Sequence, residues 1–234
     1  VLAALEAGRT VGLATKEILV VAGALVMETA RRHGASILPV DSEHNAVFQL
    51  LRHEGTAHLT RIILTASGGP FFGRDTLSDV TVQQALEHPV WKMGRKITVD
   101  SATLMNKAFE MIEAQHLFGL KPRQIGVLIH REAIVHGIVE FSDGNLLALL
   151  SRPDMRFAIS NVLSYPHRAD GHWGRLDLSE VGRLSFERPP ADAVWLELAR
   201  EAMAKAGTTL PVAVNAANEV AVERFLAGRL RFDR

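Results

Sequence analysis

Two carboxylates, Asp41 and Glu43, flank Ser42 directly after the short apolar run Ile37 to Val40. An apolar-periodic stretch, Ala46 to Leu51, follows at once, so the pattern predicts strand, polar junction, helix. In α/β proteins, ligands gather at the carboxyl ends of strands. Two carboxylates placed there could hold a divalent cation, with Ser42 reaching a substrate oxygen. The same residues also suit a helix cap, because Asp and Ser accept from the free N–H groups of a first turn and Glu favours its dipole. Both readings fit this stretch taken alone.

A second polar group lies further on. Ser101 to Phe118 reads as one long helix. At about 100° per residue, Asn106, Lys107 and Glu110 share one arc, while Leu104, Met105, Phe109, Met111 and Ile112 occupy the other. An amide, an ammonium and a carboxylate are thus presented together. Alone, Lys107 and Glu110 also read as a solvated i,i+3 pair. Between the two groups, Phe71 to Lys96 carries Gly, Pro and Asp punctuation around a helical patch, Val82 to Glu87. Its large apolar groups Phe71, Phe72, Trp91 and Met93 follow no clean period, as in active-site lids. Core plugs of the same composition are the alternative.

These residues need elements to place them. Val1 to Ala7 reads as a helix stopped by Gly8, and Thr10 to Ala14 as a short strand. Lys16 and Glu17 open a helix reaching about His33, which puts them at another strand-to-helix junction. Arg61 to Thr65 is a buried-type strand ending in Ser67, Gly68, Gly69 and Pro70. Ile125 to Ile129, Ala133 to Phe141 and Leu146 to Leu150 read as strands, the last two joined by a turn over Ser142 to Asn145. Pro153 to Leu163, Ala191 to Ala206 and Pro211 to Ala227 read as helices. Tyr165 to Pro190 reads as a connector. Strands that alternate with helices and then pair as a hairpin predict a mixed α/β fold.

The 234 residues are 47% hydrophobic, enough for a real core. Lys plus Arg and Asp plus Glu each total 26, so no general nucleic-acid or membrane surface is expected and any anion site must be local. The chain has no cysteine, which excludes disulfides and thiolate zinc sites. No apolar run approaches membrane-spanning length. The first residues, Val1 to Glu6, read like the middle of a helix, as expected of a fragment.

In order, Lys16-Glu17, Asp41-Ser42-Glu43, Ser67 to Pro70, His88 to Gly94 and Asp100 to Glu110 form a set that resembles the 1-deoxy-D-xylulose 5-phosphate reductoisomerase family. The resemblance continues through Leu128 to His130, His136, Pro153 to Arg156 and Asn215 to Glu219. It implies NADPH- and metal-dependent rearrangement of a phosphorylated keto-sugar, by retro-aldol cleavage and re-addition, then reduction to 2-C-methyl-D-erythritol 4-phosphate. It implies Asp41, Glu43 and Glu110 as ligands of Mg, Mn or Co. Lys16, Glu43, His88 and Glu110 would take part in catalysis. Ser42, Ser67, Ser101, Asn106 and Lys107 would join them in binding substrate, the last four gathering its phosphate. Trp91 and Met93 would cover the site from a lid at about 68–98, and His136 would support it. Thr15, Glu17 and Gly94 would lie near the nicotinamide of NADPH.

The resemblance also implies an organisation. Residues 1–40 would end a Rossmann-like NADPH domain, 41–165 form the catalytic, metal-binding and dimerisation domain, 166–190 connect, and 191–234 begin a helical domain. A homodimer is implied, in the bacterial cytoplasm or in a plastid stroma if the source is a plant or alga. Two departures stand out. The family's Gly-rich nucleotide turn has no counterpart, and its usual Ala-Asn-Lys-Glu reads Ala14-Thr15-Lys16-Glu17. A polypeptide of this extent is therefore expected to bind NADPH poorly. The rivals are a metal-dependent phosphosugar isomerase or lyase that uses no nicotinamide, and a non-catalytic binding domain.

Overall fold

A computed structural model describes residues 1–74, 76–191 and 193–234. Asp75, inside the expected lid, and Asp192, at the start of an expected helix, lie outside the described residues. The chain opens with α1 (Leu2–Glu6), β1 (Val11–Leu13), α2 (Glu17–Arg32) and β2 (Ile37–Pro39). β1 and β2 pair in parallel, and Leu5, Leu13, Leu19, Val26 and Ala30 form the core of this small unit. Then come α3 (Ser42–Glu54), β3 (Leu59–Ala66), α4 (Val82–Ala85), α5 (Arg95–Thr103) and α6 (Met105–Phe118). A 3-10 turn at Pro122–Gln124 leads to β4 (Ile125–Ile129), β5 (Val135–Phe141) and β6 (Leu146–Leu150). Helices α7 (Met155–Ser164), α8 (Leu178–Val181), α9 (Val194–Ala204) and α10 (Leu210–Leu226) complete the order.

The central sheet runs β4-β3-β5-β6 and is mixed, as expected. Strand β3 pairs in parallel with β4 and antiparallel with β5. Central position explains its composition: Ile62, Ile63, Leu64, Thr65 and Ala66 are all buried. One core of 0–9% exposed side chains takes in Leu64 and Ile129 of this sheet, Phe109, Met111 and Ile112 of α6, and Leu196 and Met203 of α9.

Several expected elements need correction. The helix expected over Ser101 to Phe118 is two helices broken at Leu104, which adopts a left-handed φ of 66°. The irregular stretch expected over about 68–98 gives way to helix before its end. Gly94 takes an extended conformation as the N-cap of α5, its carbonyl accepting from Thr98 Oγ1 at 2.8 Å, and the helix starts at Arg95. The strand expected from Ala133 starts at Val135, because Ala133 turns at φ 50°. The connector holds the short α8, and Glu187 bridges to Ile129 on the β4 edge.

A candidate metal and anion-binding site

Helix α3 carries Asp41, Ser42 and Glu43 onto the sheet because Gly137 leaves room. A Cβ at that position of β5 would lie 3.1 Å from the carbonyl oxygen of Glu43 and 3.2 Å from Ala46 and Val47. A side chain there would need α3 to give by a few tenths of an ångström. Asp41 caps α3, its Oδ1 accepting from the Glu43 N–H at a long 3.4 Å. Its other oxygen, Oδ2, lies 2.5 Å from Lys16 Nζ. Capping and clustering are therefore both properties of this carboxylate.

Lys16 comes from the β1–α2 junction and is 4% exposed. Its ammonium also donates to Glu110 Oε1 at 3.0 Å and Asn106 Oδ1 at 2.8 Å. Lys107 donates to Glu43 Oε1 at 2.7 Å and to Glu110 Oε2. The solvated Lys107–Glu110 pair is not what folds. The two side chains are 3% and 1% exposed, because α2, α5 and α9 close around α6 and leave it no wet face at that level. Ligand oxygens of Asp41, Glu43 and Glu110 all lie within 4.8 Å of one another. Ser42 Oγ donates to Glu43 Oε2 at 2.5 Å.

The charges explain one another. Burial alone would raise the Asp41 carboxyl, but Lys16 and His44 hold it well below the usual carboxylate range. Burial, and then the charges of Asp41 and Glu43, push Glu110 up despite both lysines. Lys16 and Lys107 are raised, since their carboxylate partners outweigh the burial that would lower them. Three carboxylates face two ammoniums, so the cluster has one anion in excess, and strain falls on Glu110. A small dication suits this donor set: hard oxygens, mutually repelling, in a confined space.

Beneath lies a group that sequence reasoning missed. His44 is fully buried; its Nε2 bonds the Glu110 carbonyl oxygen at 2.8 Å, tying α3 to α6. Its Nδ1 faces Asp41 at 3.4 Å and Glu113 at 3.3 Å. Spacing held the signal: His44 is three residues after Asp41, and Glu113 three after Glu110. Burial would lower His44, but Glu113 and Asp41 raise it to about 9, and burial raises Glu113 to about 7. A raised His contributes stability that is fully present below its unfolded value, near 6.5, and lost as pH rises through about 9. Denaturant unfolding across that window should show the wild type losing up to about 3 kcal/mol that His44→Gln does not lose. Parallel curves for the two proteins would exclude this contribution.

The anion side of the cavity is built from three segments. Ser67 follows β3, Ser101 lies on α5, and His88 comes from the loop between α4 and α5. His88 Nε2 sits 3.0 Å from Ser67 Oγ and 3.1 Å from Ser101 Oγ. Its Nδ1 accepts from the Val90 and Trp91 N–H groups at 3.1 and 2.8 Å. Two donors on Nδ1 leave the proton on Nε2, aimed between the serines. Burial, then the charge of Arg131, lowers His88, which favours this neutral tautomer. Gly68 and Gly69 have φ of 81° and 68°, and a Cβ on Gly69 would meet Ser101 O and Ala102 Cα at 2.9 Å.

The break at Leu104 brings the two sides together. Ser101 and Glu110 are nine residues apart, about 180° around an unbroken helix. Across the break both line one cavity of about 280 Å³, with Lys16, Asp41, Lys107 and Trp91 among its walls. Ser42, Glu43, Ser67, His88, Met93 and Asn106 also line it, as does Met155, which the sequence reading had not assigned to the site. Thr15, Glu17 and Gly94 stand outside that lining. Thr15 is exposed at the β1–α2 junction; Glu17 accepts from Lys96 Nζ at 2.7 Å, two residues beyond Gly94. His136 is 5% exposed, 2.9 Å from Ser151 Oγ, with its ring centroid 6.2 Å from that of Trp91.

Residues 37–118 match the profile of the 1-deoxy-D-xylulose 5-phosphate reductoisomerase C-terminal domain, and residues 150–234 that of the DXP reductoisomerase C-terminal domain. Over 232 residues the chain is 53% identical to a 1-deoxy-D-xylulose 5-phosphate reductoisomerase of Symbiobacterium thermophilum, covering 99% of the chain and 60% of that protein. It is 54% identical over 239 residues to one of Exiguobacterium sibiricum, covering 99% and 61%. A crystal structure of DOX-P reductoisomerase in complex with NADPH, fosmidomycin and magnesium superposes with a TM-score of 0.93 at 46% identity, covering 99% of this chain and 60% of that one. The Zymomonas mobilis enzyme in complex with NADPH gives 0.90 at 43%, with the same coverage. The chain thus spans about 60% of the length of the relatives it matches. Over the portion it represents, the chain belongs to the 1-deoxy-D-xylulose 5-phosphate reductoisomerase family.

Proposed function

We propose that this chain carries the metal- and substrate-binding part of an enzyme that converts 1-deoxy-D-xylulose 5-phosphate to 2-C-methyl-D-erythritol 4-phosphate. The single observation behind this is the shared cavity, with three carboxylates and two ammoniums at one end and hydroxyl and imidazole donors at the other. Asp41, Glu43 and Glu110 would hold Mg, Mn or Co. That cation would supply Lewis-acid polarisation of the substrate's keto oxygen, and NADPH the hydride for the final reduction. Lys16, now shared between Asp41 and Glu110, would stabilise charge on a reacting oxygen or move a proton there. Ser42 would bond the substrate backbone. Ser67, Ser101, Asn106 and Lys107 would gather the phosphate, with His88 donating from Nε2. Trp91 and Met93 would exclude water above a reactive aldehyde. Thr15, Glu17 and Gly94 would face the nicotinamide end of NADPH.

The same reading keeps residues 1–40 as the end of a nucleotide domain, 41–165 as the catalytic and dimerising domain, 166–190 as connector and 191–234 as helical domain. It carries a homodimer with it. In support, β6 is an edge strand of the central sheet, and its Leu146 and Leu147 are 56% and 40% exposed. A cytoplasmic location, or a plastid stroma in a plant or alga, goes with that reading. Among the described residues, no helix is long and apolar enough to cross a membrane.

A Mn²⁺ titration of the wild type against Glu43→Gln tests the metal site. Saturable binding weakened at least about tenfold in the variant is expected for loss of one charged ligand. Equal binding by both would remove the site. An assay with deoxyxylulose phosphate, NADPH and Mg²⁺ tests the chemistry. Consumption of NADPH coupled to methylerythritol phosphate formation is expected of the enzyme containing this chain. A rearranged product without NADPH oxidation would instead favour a nicotinamide-free isomerase.

A further inference from the structure

Arg131 has entered the site so far only through its charge on His88. It lies in the β4–β5 turn, just after the buried His130. That turn is held from inside: His130 Nδ1 bonds the Ser185 carbonyl oxygen at 2.8 Å, and Nε2 accepts from the Ile134 and Val135 N–H groups at 3.1 Å each. Arg131 reaches across to the loop after β3. Its guanidinium carbon is 5.6 Å from the Phe72 ring centroid, and Nη1 donates to the Gly69 carbonyl oxygen at a long 3.4 Å.

Gly69 is the connection. Its N–H donates to Ser67 Oγ at 3.3 Å, and a Cβ there would meet the backbone of Ser101 and Ala102 at 2.9 Å. We infer that Arg131 is a positioning residue of the anion pocket: by clamping the Gly69 peptide it fixes the Ser67 and Ser101 hydroxyls, and it adds an outer cation for a phosphate monoester. The inference rests on the phosphate reading of that pocket. His88, seated between the two serines, also feels this guanidinium, the second cause of its lowering after burial. A half-buried arginine that only packed on Phe72 would touch neither the serines' geometry nor an anion's affinity.

The test uses the whole chain, inorganic phosphate as probe, and NMR of the imidazole of His88. Arg131→Met keeps the stem over Phe72 and removes the charge and the donor. Phosphate binding is expected to weaken about tenfold, as for one charge-assisted contact. The His88 titration should move upward, and the affinity should lose much of its salt dependence. Arg131→Lys should restore the His88 titration and only part of the affinity, because an ammonium lacks the planar fork. Unchanged phosphate affinity and unchanged His88 titration in Arg131→Met, with a wild-type melting curve, overturn the inference alone. A wild type that binds Mn²⁺ but no phosphate overturns the anion-pocket reading, and this inference with it.

Discussion

In the enzyme proposed to contain this chain, Glu110→Gln is expected to remove metal-dependent turnover, lowering kcat by at least about two orders of magnitude, the scale lost with a preorganised electrostatic group. Burial, and then the facing charges of Asp41 and Glu43, push the Glu110 carboxyl up. A dication relieves that repulsion, so this side chain gains most from the ion. The amide is close in shape but carries no charge. The Mn²⁺ affinity should fall at least about tenfold. Folding should change far less, because two carboxylates would then face two ammoniums. Steady-state NADPH oxidation and a Mn²⁺ titration on the same preparation read both effects. Wild-type rates with wild-type metal affinity would remove Glu110 from the site.

The second large effect is on stability. Lys107→Met should cost about 3–5 kcal/mol without metal, the scale of breaking a buried ion pair from one side. Lys107 is 3% exposed and lies between Glu43 and Glu110, so its loss leaves three carboxylates facing one ammonium. Mn²⁺ should restore part of that loss and should stabilise the variant more than the wild type, because the ion then replaces a missing cation. If Lys107 binds the phosphate as proposed, the KM for substrate of the enzyme containing this chain should rise as well. Denaturant unfolding with and without Mn²⁺ decides: an equal metal increment in both proteins would mean the ammonium and the ion do not share those carboxylates.

Much of the fold was legible because the chain punctuates itself. Gly8, Gly34 and the Ser142–Asn145 turn end elements where their backbone chemistry requires. The break at Leu104 was not legible. Leucine is a good helix former, and only packing from outside the helix forces its left-handed φ. The buried Lys107–Glu110 pair was hidden for a similar reason. An i,i+3 pair looks solvated unless partners arrive from elsewhere, and here Lys16 comes from 91 positions before Lys107 and Glu43 from 64 before it. Asp41 caps as its stretch suggests, but its second partner was not legible there, since the oxygen that does not cap meets Lys16 from a distant junction. His44 and Glu113 were not legible because each reads as an ordinary helix position until α3 and α6 pack together.

The left-handed turn at Leu104, between α5 and α6, also bears on substrate length. Ser101 and Glu110 stand on rigid helices whose relative angle is set at Leu104, so the spacing between the two ends of the cavity is fixed by one backbone torsion. If both ends are filled as proposed, the bend acts as a ruler. A sugar one carbon shorter or longer would meet the ion or the phosphate donors, but not both.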